Sequence, residues 1–315
     1  MPDKKIPLLV VAGPTASGKT ALGIALAKEF GGEVISADSM QIYKELDIAT
    51  AKPTTDEMDG IPHHLIGITD MDAEFSVADY VALARKKIEE VYSRGKLPIL
   101  VGGTGLYINS LINDVNFENA ETDGNVRRRL TQELEELGAE SLYERLKEVD
   151  PETAEIVPVQ NTVRIIRALE IYELTGIKFS KYKEMNKGSE CPYNLCMLGL
   201  NYRDRQKLYD RINLRVGIMV ENGMIEECRG VYDNKKLGTA YQAIGYKELV
   251  PFFEGKEALD ECLDKIRLNS RRYAKRQLTW FRRDERINWI YMDEINNFDK
   301  IMEICKKIVA KSKIL

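Results

Sequence analysis

Eight consecutive residues, Gly13-Pro14-Thr15-Ala16-Ser17-Gly18-Lys19-Thr20, fill the pattern G-x-x-x-x-G-K-[ST]. A turn of this composition surrounds a phosphate with backbone N–H groups at a helix N-terminus. Lys19 then reaches the terminal phosphate oxygens, and the Thr20 hydroxyl ligates a magnesium ion. The ligand this set asks for carries a di- or triphosphate. A second chemical group, Asp38, heads Asp38-Ser39-Met40-Gln41 at the end of an apolar run. A carboxylate beside a phosphate site acts as a general base or as an outer partner of the magnesium, and elsewhere merely caps a turn. Its placement favours chemistry, because ligands of parallel α/β sheets lie outside the carboxyl ends of the strands.

The elements that must position these groups are legible around them. Residues 6–12 (IPLLVVA) read as a buried parallel strand, residues 21–30 as a helix closed by Gly31-Gly32, and residues 33–37 as a second strand. Residues 41–53 form a structured loop. His63 and His64 lie between turn residues with no third metal ligand, so they belong to the crevice wall. Ser76 caps a helix running to residue 94, and residues 97–101 form the third strand. Phosphoryl-transfer enzymes usually end such a strand on an acidic residue. Here it runs into Gly102-Gly103-Thr104-Gly105, where the glycines let backbone approach a ligand and Thr104 offers a hydroxyl.

From residue 115 the character changes to charged helices without a strand-like run. The expected fold is α/β, a P-loop NTPase-like parallel sheet flanked by helices, with an inserted all-helical subdomain. Residues 1–114 and 193–315 form the core and residues 115–192 the insert. Residues 178–191 read as a polar loop, 193–200 as a returning strand, and 203–227 as one helix. That helix carries Arg211 and Arg215, which are either clamps on diphosphate oxygens or ordinary surface ion pairs. Residues 239–249 (TAYQAIGYKEL) read as a second glycine-containing loop, and the chain closes in an amphipathic helix.

Composition narrows the class. The 315 residues are 44% hydrophobic and 30% charged, and no apolar run reaches the ~20 residues of a membrane helix. The first strand begins directly after the N-terminus, which leaves no room for a secretory signal. Five scattered cysteines and two histidines make no zinc pattern, and are expected to be reduced thiols of a cytoplasmic protein. The net charge of −4 hides an asymmetry, since residues 265–283 carry eight basic side chains and no acidic one. Basic residues interleaved with Tyr273, Trp280 and Phe281 suit a phosphate backbone with stacked bases.

The motifs GPTASGKT, ISADSMQIY, TAKPT, GIPHHLI, LVGGTGLY, RIIRALEIYELTG, AIGYKEL and RQLTWFRR stand in this order. Together they resemble the bacterial tRNA dimethylallyltransferases, isopentenyl transferases that modify the adenosine just 3′ of the anticodon. The resemblance covers residues 8–289. It implies that Gly13, Pro14, Thr15, Ala16, Ser17, Gly18, Lys19 and Thr20, with Arg211 and Arg215, hold dimethylallyl diphosphate and Mg2+, the ion on Thr20. It implies that Asp38 draws a proton from the exocyclic amine of the flipped adenine, with Thr104 beside it. Contacts to the tRNA anticodon stem-loop are expected from Asp38, Ser39, Met40, Gln41, Thr104 and Arg127. The same role is expected for Val163, Arg164, Ile165, Ile166 and Arg167, and for Arg271, Arg272, Lys275, Arg276, Gln277, Trp280 and Arg282. A cytoplasmic monomer without membrane contact is the matching expectation. The chain departs from the family pattern at Gly67, Val163 and Gly217, and the Val163 change removes one polar contact to RNA. Two other classes stay open on the residues alone: a small-molecule P-loop kinase or adenylate isopentenyltransferase, and an RNA-binding protein without catalysis.

Overall fold

The computed structural model describes residues 5–115, 124–186, 188, 190–233, 239–295 and 297–315. The chain divides into two compact units, Met1–Ile112 with Cys191–Leu315, and Asn113–Glu190. The first unit opens with β1 (Ile6–Ala12), α1 (Lys19–Phe30), β2 (Gly32–Ala37), α2 (Thr55–Met58), β3 (His63–His64), α3 (Val77–Ser93), β4 (Leu97–Gly102) and α4 (Gly105–Ile112). The second unit holds α5 (Gly124–Val149), α6 (Pro151–Ile156), α7 (Thr162–Thr175) and α8 (Phe179–Met185). The chain then returns as β5 (Tyr193–Asn201), α9 (Arg205–Glu221), α10 (Met224–Asp233), a 3-10 turn (Thr239–Gln242), α11 (Tyr246–Phe253), α12 (Leu259–Phe281), β6 (Ile287–Tyr291) and α13 (Phe298–Ser312).

The sheet has six parallel strands in the order β3-β2-β4-β1-β5-β6. Both faces of a parallel sheet are covered, which is why β2 and β4 are buried along their whole length and β4 reads as a continuous apolar run. On one face Leu22 and Leu26 of α1, with Ile301, Cys305 and Val309 of α13, pack over Leu9, Val11 and Leu198. β1 lies inside the sheet, between β4 and β5, so the turn that follows it opens at the carboxyl edge where the connections diverge.

Several local expectations are corrected. Residues 178–191 are not all loop, because α8 forms there from strong helix formers. The single helix expected over 203–227 is two helices, α9 and α10, since Gly223 adopts φ 96° and breaks the repeat. The loop expected over 239–249 closes into α11, whose first N–H groups are served by Glu248 reaching back to Gly245 N. β3 is two residues long and β6 only five, too short for periodicity to announce them. Ser76 caps α3 as expected, with Asp79 completing a capping box.

The second unit has its own core of Leu130, Leu142, Leu146, Ile165 and Leu169. Its α5 is interrupted at Gly138, in the left-handed region at φ 80°. Glu170, 1% exposed, receives the guanidinium groups of both Arg127 (2.8 Å) and Arg167 (2.7 Å). Among the described residues no helix is long and apolar enough to cross a membrane.

Candidate active site

β1 ends at Ala12, and α1 begins at Lys19 after Gly18 has turned the chain at φ 94°. The turn between them is held by neighbours. Gln277 of α12 accepts the Thr15 N–H (2.8 Å), and Arg211 of α9 donates to Ala16 O (3.0 Å). Lys19 folds back to donate to Pro14 O (2.6 Å). Ser17 Oγ is buried without a partner among the described residues. Burial lowers the Lys19 pKa to about 7, and the Arg215 guanidinium adds to the shift while Asp38 opposes it. Burial lowers the Arg215 pKa too, against the pull of Asp38 and Glu57. Two desolvated basic side chains, Lys19 and Arg215, beside the Asp38 carboxylate form a site suited to a multivalent anion.

β2 delivers Asp38 on the opposite wall. Its Oδ1 accepts the N–H groups of Met40 (2.9 Å) and Gln41 (3.3 Å), a local turn that fixes the carboxylate. Thr104, just past β4, accepts the Ser39 N–H (3.0 Å) and donates to Ser39 Oγ (3.3 Å). Tyr273 of α12 also lines the cavity, and burial together with the Asp38 charge pushes its phenol up to about 12. At neutral pH it is an O–H, able to donate.

These walls enclose a cavity of about 430 Å³, the size of a small-ligand site. Lys19, Thr20, Asp38, Arg215, Tyr273 and Arg276 line its polar part, and Val216, Met219, Met224 and Ile266 its apolar part. The donor set fits magnesium of a particular kind. Among the described residues no three His, Cys, Asp or Glu side chains gather around one point. One exposed hydroxyl, Thr20, and the carboxylate of Asp38 do line the cavity, while the second lining carboxylate, Glu248, is taken up by Gly245 N and Asn269. Magnesium suits such a sparse set when phosphate oxygens supply its other ligands.

The cavity brings together Thr15, Ala16, Lys19, Thr20, Asp38, Ser39, Met40, Gln41, Arg215, Arg272, Arg276 and Gln277 from the expected set. Arg211 braces the turn from outside rather than lining it. Gln277, expected to contact RNA, lines the cavity but is 4% exposed and bonded to Thr15 N and Gly103 O. The side chains of Ile165 and Ile166, expected to do the same, lie in the core of the second unit. In that unit Arg127 and Arg167 are tied to Glu170, while Val163 (77% exposed) and Arg164 face solvent. On α12 Arg271 donates to Asn213 (2.7 Å), and Lys275 and Trp280 are exposed, as is Arg282 just beyond. Sequence reasoning missed Tyr273 as a lining residue of this cavity, and also Glu227. Tyr273 lies four residues before Gln277, one helical turn, which is the signal that places both on one face.

Fold and site define a parallel α/β protein of the P-loop kind, with a fixed carboxylate facing the anion-binding turn across one cavity. Residues 41–284 match the family model described as IPP transferase. The tRNA dimethylallyltransferase of Thermoanaerobacter sp. (strain X514) is 48% identical over 311 residues, 97% of this chain and 98% of that protein. That of Geobacillus thermodenitrificans (strain NG80-2) is 48% identical over 98% of each chain. Among solved structures, the full-length tRNA isopentenylpyrophosphate transferase from Bacillus halodurans superposes with TM-score 0.74 at 45% identity, covering 98% of this chain and 97% of that one. A eukaryotic dimethylallyltransferase acting on tRNA gives TM-score 0.81 at 30% identity, over 98% and 80%. The chain belongs to the IPP transferase family.

Proposed function

We propose that this chain transfers the dimethylallyl group of dimethylallyl diphosphate to the N6 amine of the adenosine 3′-adjacent to the anticodon in tRNA, releasing pyrophosphate. The observation that carries the reading is the single cavity in which Lys19, Arg215 and the phosphate-type turn face Asp38. The N–H groups of that turn, Lys19 and Arg215 grip the diphosphate. Thr20 would hold a magnesium ion that shares in neutralising the leaving group's charge. The N6 lone pair attacks the allylic C1, the C1–O bond breaks with its electrons on the diphosphate, and the N6 proton passes to the Asp38 carboxylate. The Met40 and Gln41 N–H groups hold that carboxylate in place, and Thr104 and Tyr273 supply hydroxyls for orienting the acceptor base. The target base must leave its stack, a cost of a few kcal/mol that wider RNA contacts offset.

Arg164 of the helical unit, and Lys275, Trp280 and Arg282 of the α12 region, are exposed and suited to that task. We assign residues 115–192 to tRNA contact on this ground. We assign the working unit as a monomer. The cysteines of the described structure are all free, in keeping with a cytoplasmic protein.

Purified protein with magnesium and labelled dimethylallyl diphosphate is given unmodified tRNA, or free AMP in a parallel tube. Label in tRNA alone is the expected result, and it disappears when magnesium is chelated. Label in AMP would move the substrate class to free nucleotides. Label in neither would overturn the transferase reading.

A further inference from the structure

Residues 46–52 form turns outside any helix or strand, yet Ala49 and Thr50 line the cavity. Backbone groups in such a segment need hydrogen-bond partners from elsewhere. Glu227 of α10 provides them. Its Oε2 accepts the N–H groups of Asp47 (2.9 Å) and Ile48 (2.8 Å), and its Oε1 that of Ala49 (3.0 Å). The Tyr246 hydroxyl donates to the same Oε1 at 2.7 Å. Four bonds to one ionised carboxylate make a strong anchor for a short turn.

Gly245 makes room for the turn against its support, while a side chain at Gly223 would meet it in ordinary contact. Gly245 stands at φ 119°, and a Cβ there would lie 3.3 Å from Ala49 Cβ; at Gly223 it would lie 3.7 Å from Ile48 Cδ1. The anchored segment is bonded in turn to the base. Gln41 Nε2 donates to Thr50 O (3.2 Å) and Ala51 O (3.0 Å), and Gln41 N donates to Asp38 Oδ1 (3.3 Å).

We propose that Glu227, held by Tyr246, is a positioning residue for the transfer reaction: it fixes residues 47–49 and, through Gln41, the direction of the Asp38 carboxylate. The proposal rests on the transferase reading above. The clamped turn, residues 47–49, runs directly into the motif TAKPT at Thr50, and the motif AIGYKEL supplies Gly245 and Tyr246.

The test compares wild type, Glu227→Gln and Tyr246→Phe by amide hydrogen exchange and by steady-state prenyl transfer to tRNA. Glu227→Gln keeps one acceptor oxygen and sets an N–H against backbone N–H groups. Exchange at residues 47–49 is expected to accelerate tenfold or more, with kcat falling on the order of 10- to 100-fold. The tRNA dissociation constant is expected to stay within about twofold, since Glu227 bonds none of Arg164, Lys275, Trp280 and Arg282, the exposed residues assigned to the wider RNA contact. Tyr246→Phe, which keeps all three amide contacts, moves both readouts the same way by less. It carries the comparison if Glu227→Gln fails to fold. Unchanged exchange, or faster exchange with wild-type kcat, would overturn the proposal. Wild type inactive on tRNA would sink the transferase reading instead, leaving the exchange data to decide the clamp.

Discussion

Gln277 and Thr15 are joined across 262 positions of sequence by one hydrogen bond, Oε1 accepting the Thr15 N–H at 2.8 Å. The other end of the same amide, Nε2, donates to Gly103 O at 2.9 Å. One buried side chain thereby spans the phosphate-type turn and the turn that carries Thr104. α12 has two faces in consequence: one reaches into the chemistry, and the other is open to a large polyanion.

Replacing Gln277 by leucine leaves Thr15 N and Gly103 O buried without partners, at a cost of ~1–3 kcal/mol for each unsatisfied group. We expect a lower melting temperature and a raised KM for dimethylallyl diphosphate, with tRNA affinity retained. Calorimetry and titration with tRNA check this. A loss confined to tRNA affinity would return Gln277 to the RNA surface.

Asp38→Asn keeps an oxygen to accept the Met40 and Gln41 N–H groups but removes the base. Turnover is expected to fall ~10²- to 10⁴-fold while both substrates still bind. Single-turnover assays beside binding isotherms give the answer, and full turnover in the variant would eliminate Asp38 as the proton acceptor.

Lys19 makes donor binding sensitive to pH. Its pKa of about 7 in the free protein means that it loses charge as pH rises past neutrality. A diphosphate beside it favours the charged form, so binding above about pH 7 takes up a proton. Pyrophosphate affinity should fall by up to ~tenfold per pH unit above 7. Titration calorimetry in buffers of different ionisation enthalpy should find proton uptake, and a flat profile without uptake would contradict the assignment. The stability effect has a definite sign. The unfolded lysine keeps its proton up to 10.5, so between about 7 and 10.5 the unfolded state holds more protons. The destabilisation from this group is full below pH 7 and fades as pH rises through that window.

The cations of the α12 region divide by position. Arg272 and Arg276 line the cavity, whereas Lys275 and Arg282 are exposed away from it. Lys275→Ala with Arg282→Ala should weaken tRNA binding and reduce the salt slope by about one for each lost phosphate contact. The KM for dimethylallyl diphosphate should not change. Binding measured from low to moderate salt tests it, and an unchanged slope would remove these side chains from the RNA site.

What the sequence by itself determined is local. The turn from Gly13 to Thr20, the buried strands on either side of α1, the capped start of α3 and the placing of Asp38 at a strand end all follow from neighbours in the chain. Each is fixed by spacing, capping or periodicity within a few residues. The ordered motifs fixed the family in the same way. The tertiary structure decided which distant groups meet. Polar residues of α12 read alike in sequence, yet Arg271 rests on Asn213, Arg276 lines the cavity and Gln277 is spent inside. Ile165 and Arg164 are adjacent, yet one is core and the other solvent-facing. Glu227 looks like any surface acid of α10 until the fold brings Asp47, Ile48 and Ala49 to it from 178–180 positions away. Periodicity tells which face of a helix is apolar. It carries no information on which backbone N–H groups another segment leaves without partners, and that requirement is met only when the chain has packed.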